Sequence, residues 1–138
     1  MPAKDNFHEA VVTGLQKQNW LITDDPLYIE FGGVDFYIDI GAERLIAAEK
    51  DNEKIAIEIK SFIRTSAVSE FHVALGQFMN YRLALNMTEP KRKLYLAIPE
   101  NIYDSFFQLP FAKLAIQTYQ LYMLVYSPKQ QEIIKWLS

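Results

Sequence analysis

Glu58 and Lys60 stand two residues apart in the run Ile55-Ala56-Ile57-Glu58-Ile59-Lys60. A carboxylate beside an ammonium is the pairing that metal-assisted phosphoryl chemistry uses. The run reads as a strand, and strand side chains alternate, so Ile55, Ile57 and Ile59 share one face and Ala56, Glu58 and Lys60 the other. Asp39, on a preceding extended segment, could complete an oxygen cage for Mg2+ or Mn2+ with Glu58, and Asp35 is its rival for that place. In that arrangement the cation polarises a scissile phosphate and supplies hydroxide. Lys60 orients or deprotonates the attacking water and offsets the charge that develops.

Context has to separate this pair from coincidence, because an acid-x-Lys tripeptide is expected about once by chance in a chain of this size. A second one is present, Glu89-Pro90-Lys91, but its proline and its place at a helix end prevent both side chains from projecting from a strand. Taken alone, Glu58 and Lys60 read equally as an ion pair on a half-exposed strand. Asp39 alone reads as a carboxylate capping backbone groups near Gly41.

The elements that must position these residues follow from periodicity and punctuation. Helical spacing of Phe7, Val11, Gly14, Leu15 and Gln18 predicts a first helix over 7–18, with Asp5 as N-cap and Asn19 as its end. Trp20 to Phe31 is extended, interrupted by Thr23-Asp24-Asp25-Pro26 and closed by Gly32-Gly33. Phe36 to Ile40 is the next strand. Arg44 to Glu49 and Ile55 to Lys60 form a hairpin about the turn Asp51-Asn52-Glu53-Lys54. A second helix is expected over 69–85, with Phe71, Ala74, Leu75, Phe78, Tyr81, Arg82 and Leu85 on one stripe and Pro90 beyond its end. Leu94 to Ile98 is a short strand. The helical region 102–119 should kink or divide at Pro110. Leu121 to Tyr126 and Ile133 to Leu137 close the chain as a strand pair.

A chain of 138 residues fits one domain, spanning 1–138. Half of the residues are hydrophobic and 14% aromatic, which excludes disorder, and no apolar run approaches the roughly 20 residues of a membrane span. With no cysteine there is neither a disulfide nor a thiolate metal site, and the N-terminus lacks a secretory apolar core, so a cytoplasmic location is expected. The formal charge of -3 repels phosphate on average, so any DNA contact must come from a local patch. Lys91-Arg92-Lys93 could supply one, although three basic residues before a buried strand ordinarily mark a solvated edge. His8 and His72 have no second ligand at metal spacing. Tyr103, Phe106, Phe107 and Phe111 exceed what the expected core needs and predict a homodimeric or heteromeric contact around Pro110.

The stretch Asp35 to Lys50, continuing through Ile55 to Phe62, together with Ala74-Leu75-Gly76-Gln77-Phe78 and Leu94-Tyr95-Leu96-Ala97-Ile98-Pro99, resembles the XisH family over nearly the whole chain. The resemblance implies a cyanobacterial controlling factor for excision of the fdxN element, a developmentally timed DNA rearrangement. It also implies a restriction-endonuclease-like α/β fold of the PD-(D/E)xK class, with a central mixed sheet flanked by helices in the order αβββαβ and a C-terminal helix and strand pair. Carried over by position, the first acid falls on Asp39, where Ile38 stands in place of the usual proline, and the second acid and the lysine fall on Glu58 and Lys60. Related nucleases add a glutamate on the first helix, for which Glu9 is the counterpart, and a polar residue on the next, for which Gln77 is.

Three functions are compatible with that resemblance. The leading one is a metal-dependent endonuclease-like protein acting on DNA alongside a site-specific recombinase. The second is a regulatory protein that keeps the nuclease fold and binds DNA or a protein without cutting. The third is a toxin-like or defence nuclease paired with an XisI-like partner protein.

Overall fold

A computed structural model describes residues 3–36, 39, 40, 43–63 and 66–138, with the backbone alone at 3–5, 39 and 40. Helix α1 (Ala3–Lys17) is followed by strands β1 (Leu21–Asp24), β2 (Ile29–Phe31), β3 (Val34–Phe36), β4 (Asp39–Ile40), β5 (Glu43–Lys50) and β6 (Glu53–Ile59). Then come α2 (Ala67–Thr88), β7 (Arg92–Pro99), α3 (Glu100–Asp104), a 3-10 turn at Phe106–Gln108, α4 (Pro110–Thr118), β8 (Met123–Ser127) and β9 (Glu132–Leu137). The main sheet runs β1-β5-β6-β7-β8-β9, with β4 also paired to β5. β5 and β6 are antiparallel, α2 carries the chain over to β7 parallel to β6, β8 is again parallel, and β9 turns back antiparallel. The protein is thus a mixed α/β fold whose central mixed sheet is flanked by helices.

Strand alternation divides the buried residues between the two sheet faces. Ala47, Ala56, Leu94 and Leu96 pack with Phe71, Phe78 and Leu85 of α2 and with Ala112 and Ala115 of α4. On the other face Ile46, Ile55, Ile57, Ile59 and Tyr126 pack with Ala10, Val11 and Leu15 of α1. Gly14 lets α1 lie close to β9, since a Cβ there would stand 2.9 Å from Ile133 Cδ1.

Several boundaries differ from expectation. α1 begins at Ala3, which puts Asp5 inside the first turn and not at the N-cap. α2 starts at Ala67, after Ser66, whose side chain accepts from the Ser69 amide, and it runs on to Thr88. The stretch 20–31 is two strands. Gly32 and Gly33 both adopt positive φ (61° and 82°) and form a two-residue hairpin turn, so β2 pairs with β3 in a separate ribbon, while β1 joins the main sheet along β5. The region 102–119 divides as expected, with Pro110 at the start of α4, where its missing N–H has no cost.

Two surface assignments are overturned. Phe106 and Phe107 are buried, because the 3-10 turn points both rings at Phe71, at 5.6 and 5.7 Å between centroids. Of the four aromatic residues near Pro110, Phe111 is the exposed one and Tyr103 is half-buried. Arg92 is no solvated edge either. It is buried, donates through Nη1 to the Ile55 carbonyl at 3.0 Å and pairs with Glu89 at 3.1 Å, locking the start of β7 to β6. Arg92→Met is therefore expected to cost about 1.5–3 kcal/mol, read by urea unfolding, because it strips a charged donor from a buried carbonyl.

Candidate functional site

The turn between β5 and β6 sets the register that builds the site. Asp51 and Asn52 both adopt positive φ (50° and 69°), the pairing of a two-residue hairpin loop, and the ladder then runs from Lys50 opposite Glu53 to Leu45 opposite Glu58. Two residues further along the same face, Glu43 of β5 comes to Lys60. The Lys60 ammonium lies 3.4 Å from Glu43 Oε2 and 3.8 Å from Glu58 Oε2. It also donates to Gln77 Oε1 of α2 at 2.5 Å. All four residues meet where the end of β6 faces α2.

The burial of this group is its most unusual property. Glu58 is 1% exposed, and Glu43, Lys60 and Ser61 are buried with it. Neither Glu58 carboxylate oxygen has a hydrogen-bond partner among the described residues. A buried carboxyl group without donors is costly to ionise. Burial accordingly pushes the Glu58 pKa up to about 8, against the pull of Lys60 and with a further push from Glu43. The Tyr81 phenol on α2 is raised too, by burial first and then by the charge of Glu58, which brings that hydroxyl within electrostatic reach of the acid.

Backbone contacts hold Lys60 in place just after the last ladder residue of β6. Its N–H donates to the Ala97 carbonyl of β7 at 3.1 Å, and its carbonyl accepts from the buried Tyr126 hydroxyl of β8 at 2.9 Å. Phe62, two residues on, adopts φ 56°, a conformation that bulky residues rarely take, and its ring packs edge-on to Phe107 at 5.9 Å. The chain is thus turned sharply away at the end of the motif by an aromatic anchor. Tyr126→Phe is expected to destabilise by about 1–3 kcal/mol, because the Lys60 carbonyl is left buried without its donor. Thermal unfolding reads that loss.

Of the residues expected from sequence, Glu58, Lys60 and Gln77 are brought together. Glu9 is exposed on α1, the helix that covers the other face of the sheet, and is not brought to them. Asp39 lies on β4 with its backbone opposite Arg44, and its side chain falls outside the described residues. Asp35 sits exposed in the β2–β3 ribbon opposite Glu30. His72 is exposed on α2. His8 contacts Asp25 at 2.7 Å, and Asp25 accepts from Arg44 at 3.0 Å, a chain of contacts that ties α1 to β5. Glu43 and Tyr126 escaped the reading of the sequence. Glu43 was within reach had the hairpin register been drawn, while Tyr126 meets Lys60 only through tertiary structure.

The donor set suits a hard divalent cation: two buried carboxylates, one with unpartnered oxygens, beside an amide. Among the described residues no three acidic or imidazole side chains gather at metal-ligand spacing. Also among them, no helix is long and apolar enough to cross a membrane.

A family model described as XisH protein matches residues 1–134. Two solved structures are similar over nearly the whole chain. One, an XisH family protein from Nostoc punctiforme PCC 73102, is 50% identical with a TM-score of 0.90, over 97% of this chain and 100% of that one. The other, an fdxN element excision controlling factor protein from Anabaena variabilis, is 52% identical with a TM-score of 0.89, over 97% of this chain and 99% of that one. No curated protein matches.

Proposed function

The chain belongs to the XisH family, and from that membership and the Glu43–Glu58–Lys60–Gln77 cluster we propose a controlling factor for excision of a DNA element, equipped with a divalent-metal site for cutting DNA phosphodiesters. The observation that carries the proposal is Glu58, a fully buried acid whose oxygens have no hydrogen-bond donor among the described residues. Structural ion pairs satisfy their carboxylates, whereas an acid kept unsatisfied is poised for a ligand. The helix, antiparallel hairpin, helix and parallel strand around it also agree with a PD-(D/E)xK nuclease core.

Glu58 and Glu43 would hold the cation, with Asp39 as a third acid. When bound, Mg2+ or Mn2+ supplies Lewis-acid polarisation of the phosphate and a more acidic water. The Lys60 ammonium directs its protons at the attacking oxygen and at the charge that gathers on the phosphoryl group. Gln77 fixes the ammonium from α2, while Ala97 and Tyr126 fix the backbone beneath it. Burial within the sheet–helix layer keeps the local dielectric low, which strengthens each of these interactions.

The test is incubation of the purified protein with supercoiled, linear and branched DNA in Mg2+, in Mn2+ and in chelator. Metal-dependent cleavage that Glu58→Gln removes is the expected result. Absence of cleavage under every condition, with and without an XisI-like partner, would sink the nuclease reading. One observation favours a second reading, a silent accessory protein: the net charge of -3 gives DNA little long-range attraction. On that reading a site-specific recombinase or the partner protein provides the positive surface, and DNA is bound only in their company.

A further inference from the structure

Helix α2 is apolar on two sides. One side packs on the sheet through Phe71, Ala74, Phe78, Tyr81, Ala84 and Leu85. The other faces solvent, with Val68 42% exposed, Met79 41%, Leu83 59% and Met87 62%. A helix that is hydrophobic all round is ordinarily covered all round. The exposed stripe comprises Val68, His72, Gly76, Met79, Leu83 and Met87, at spacings of 4, 4, 3, 4 and 4 residues, and it contains no acidic residue, lysine or arginine. From these observations we propose that the α2 stripe is the contact between two copies of this chain, the helices packing antiparallel about a twofold axis between Gly76 and Met79.

Self-complementarity identifies the occupant. A twofold interface places residue i of one copy on j of the other and j on i. About that axis Val68 meets Met87, His72 meets Leu83, and Gly76 meets Met79. A Cβ at Gly76 would meet nothing within 4 Å, so in the single chain the position is an open notch, and the opposing Met79 is a flexible side chain able to fill it. Without formal charge on the stripe, a second copy meets no like-charge repulsion there. Together these groups offer on the order of 600 Å² per copy, about 1,200 Å² for the pair, at the lower edge of specific interfaces. A dimer in reversible exchange with monomer follows.

Sedimentation velocity of the full chain from about 1 to 200 μM is expected to show a monomer–dimer equilibrium with a dissociation constant in the micromolar range. Leu83→Glu puts a charge in the contact and is expected to weaken association at least tenfold. Gly76→Leu fills the notch and is expected to do the same while raising the melting temperature, because leucine has the better helix propensity and meets no neighbour. The chain has no cysteine, so the orientation can be read directly. Val68→Cys mixed with Met87→Cys should cross-link, and Val68→Cys alone should not. A chain that stays monomeric at 200 μM overturns the proposal, as does a dimer that both interface variants leave intact; efficient cross-linking of Val68→Cys with itself overturns the antiparallel pairing.

Discussion

Lys60→Met is expected to reduce metal-dependent cleavage by about 10^3-fold or more, the scale for removing a preorganised charge from a phosphoryl-transfer site. Its stability should also fall more steeply with rising pH than the native protein's does. The ammonium sits 3.4 and 3.8 Å from two buried carboxyl groups, so its removal at pH 9, where Glu58 of the native protein is ionised beside it, is expected to cost about 3 kcal/mol. At pH 5 Glu58 holds its proton in both proteins, so the variant should recover part of the difference. Adding Glu43→Gln to Lys60→Met should restore part of the stability at pH 9 and none of the activity. Urea titrations at the two pH values, beside the cleavage assay, separate the roles. A stable, fully active Lys60→Met would remove the lysine from the chemistry.

Glu58→Gln is expected to abolish cleavage and yet to stabilise the protein in alkali. The folded chain holds the Glu58 proton up to about 8, against an ordinary value of 4.5. Between those limits the folded state binds more protons than the unfolded one, so native stability falls as pH rises from about 4.5 to about 8. The proton-linked stabilisation is complete below 4.5 and gone above 8, an effect on the order of 5 kcal/mol for a shift of this size. Glutamine carries no such linkage. The variant should match the native protein near pH 4.5 and exceed it by a few kcal/mol at pH 9, as measured by chemical unfolding. Stabilisation of the native protein by Mn2+ should be absent from the variant. Parallel stability–pH curves for the two proteins would show that Glu58 titrates normally and is not held in an unsatisfied state.

Much of the site was legible because one strand states it. The alternation of Ile55, Ile57 and Ile59 with Ala56, Glu58 and Lys60 needs only the period of a strand, and burial of the isoleucines follows. Gln77 entered through the family resemblance, as the polar residue of the helix that follows the hairpin. Glu43 was lost through a turn boundary. Reading Asp51-Asn52-Glu53-Lys54 as the loop hides that Glu53 and Lys54 already belong to β6, and the pairing of Glu43 with the end of that strand goes with it. A similar slip made Gly32-Gly33 a terminator when it is a hairpin turn. Arg92 and the Phe106–Phe107 pair were placed outside because charge and aromatic content forecast exposure only on average. What buried them were partners distant in sequence: the Ile55 carbonyl for Arg92, and Phe71 for the two rings. The membership of the XisH family was legible from the longer motifs alone.

The bond from the Tyr126 hydroxyl to the Lys60 carbonyl joins residues 66 positions apart. On the ribosome, Glu43, Glu58 and Lys60 therefore emerge well before the strand that steadies the lysine. A nascent chain carries the acids and the ammonium without the clamp that holds them in working order. Maturation of the site is thus postponed until β8 is synthesised and docked.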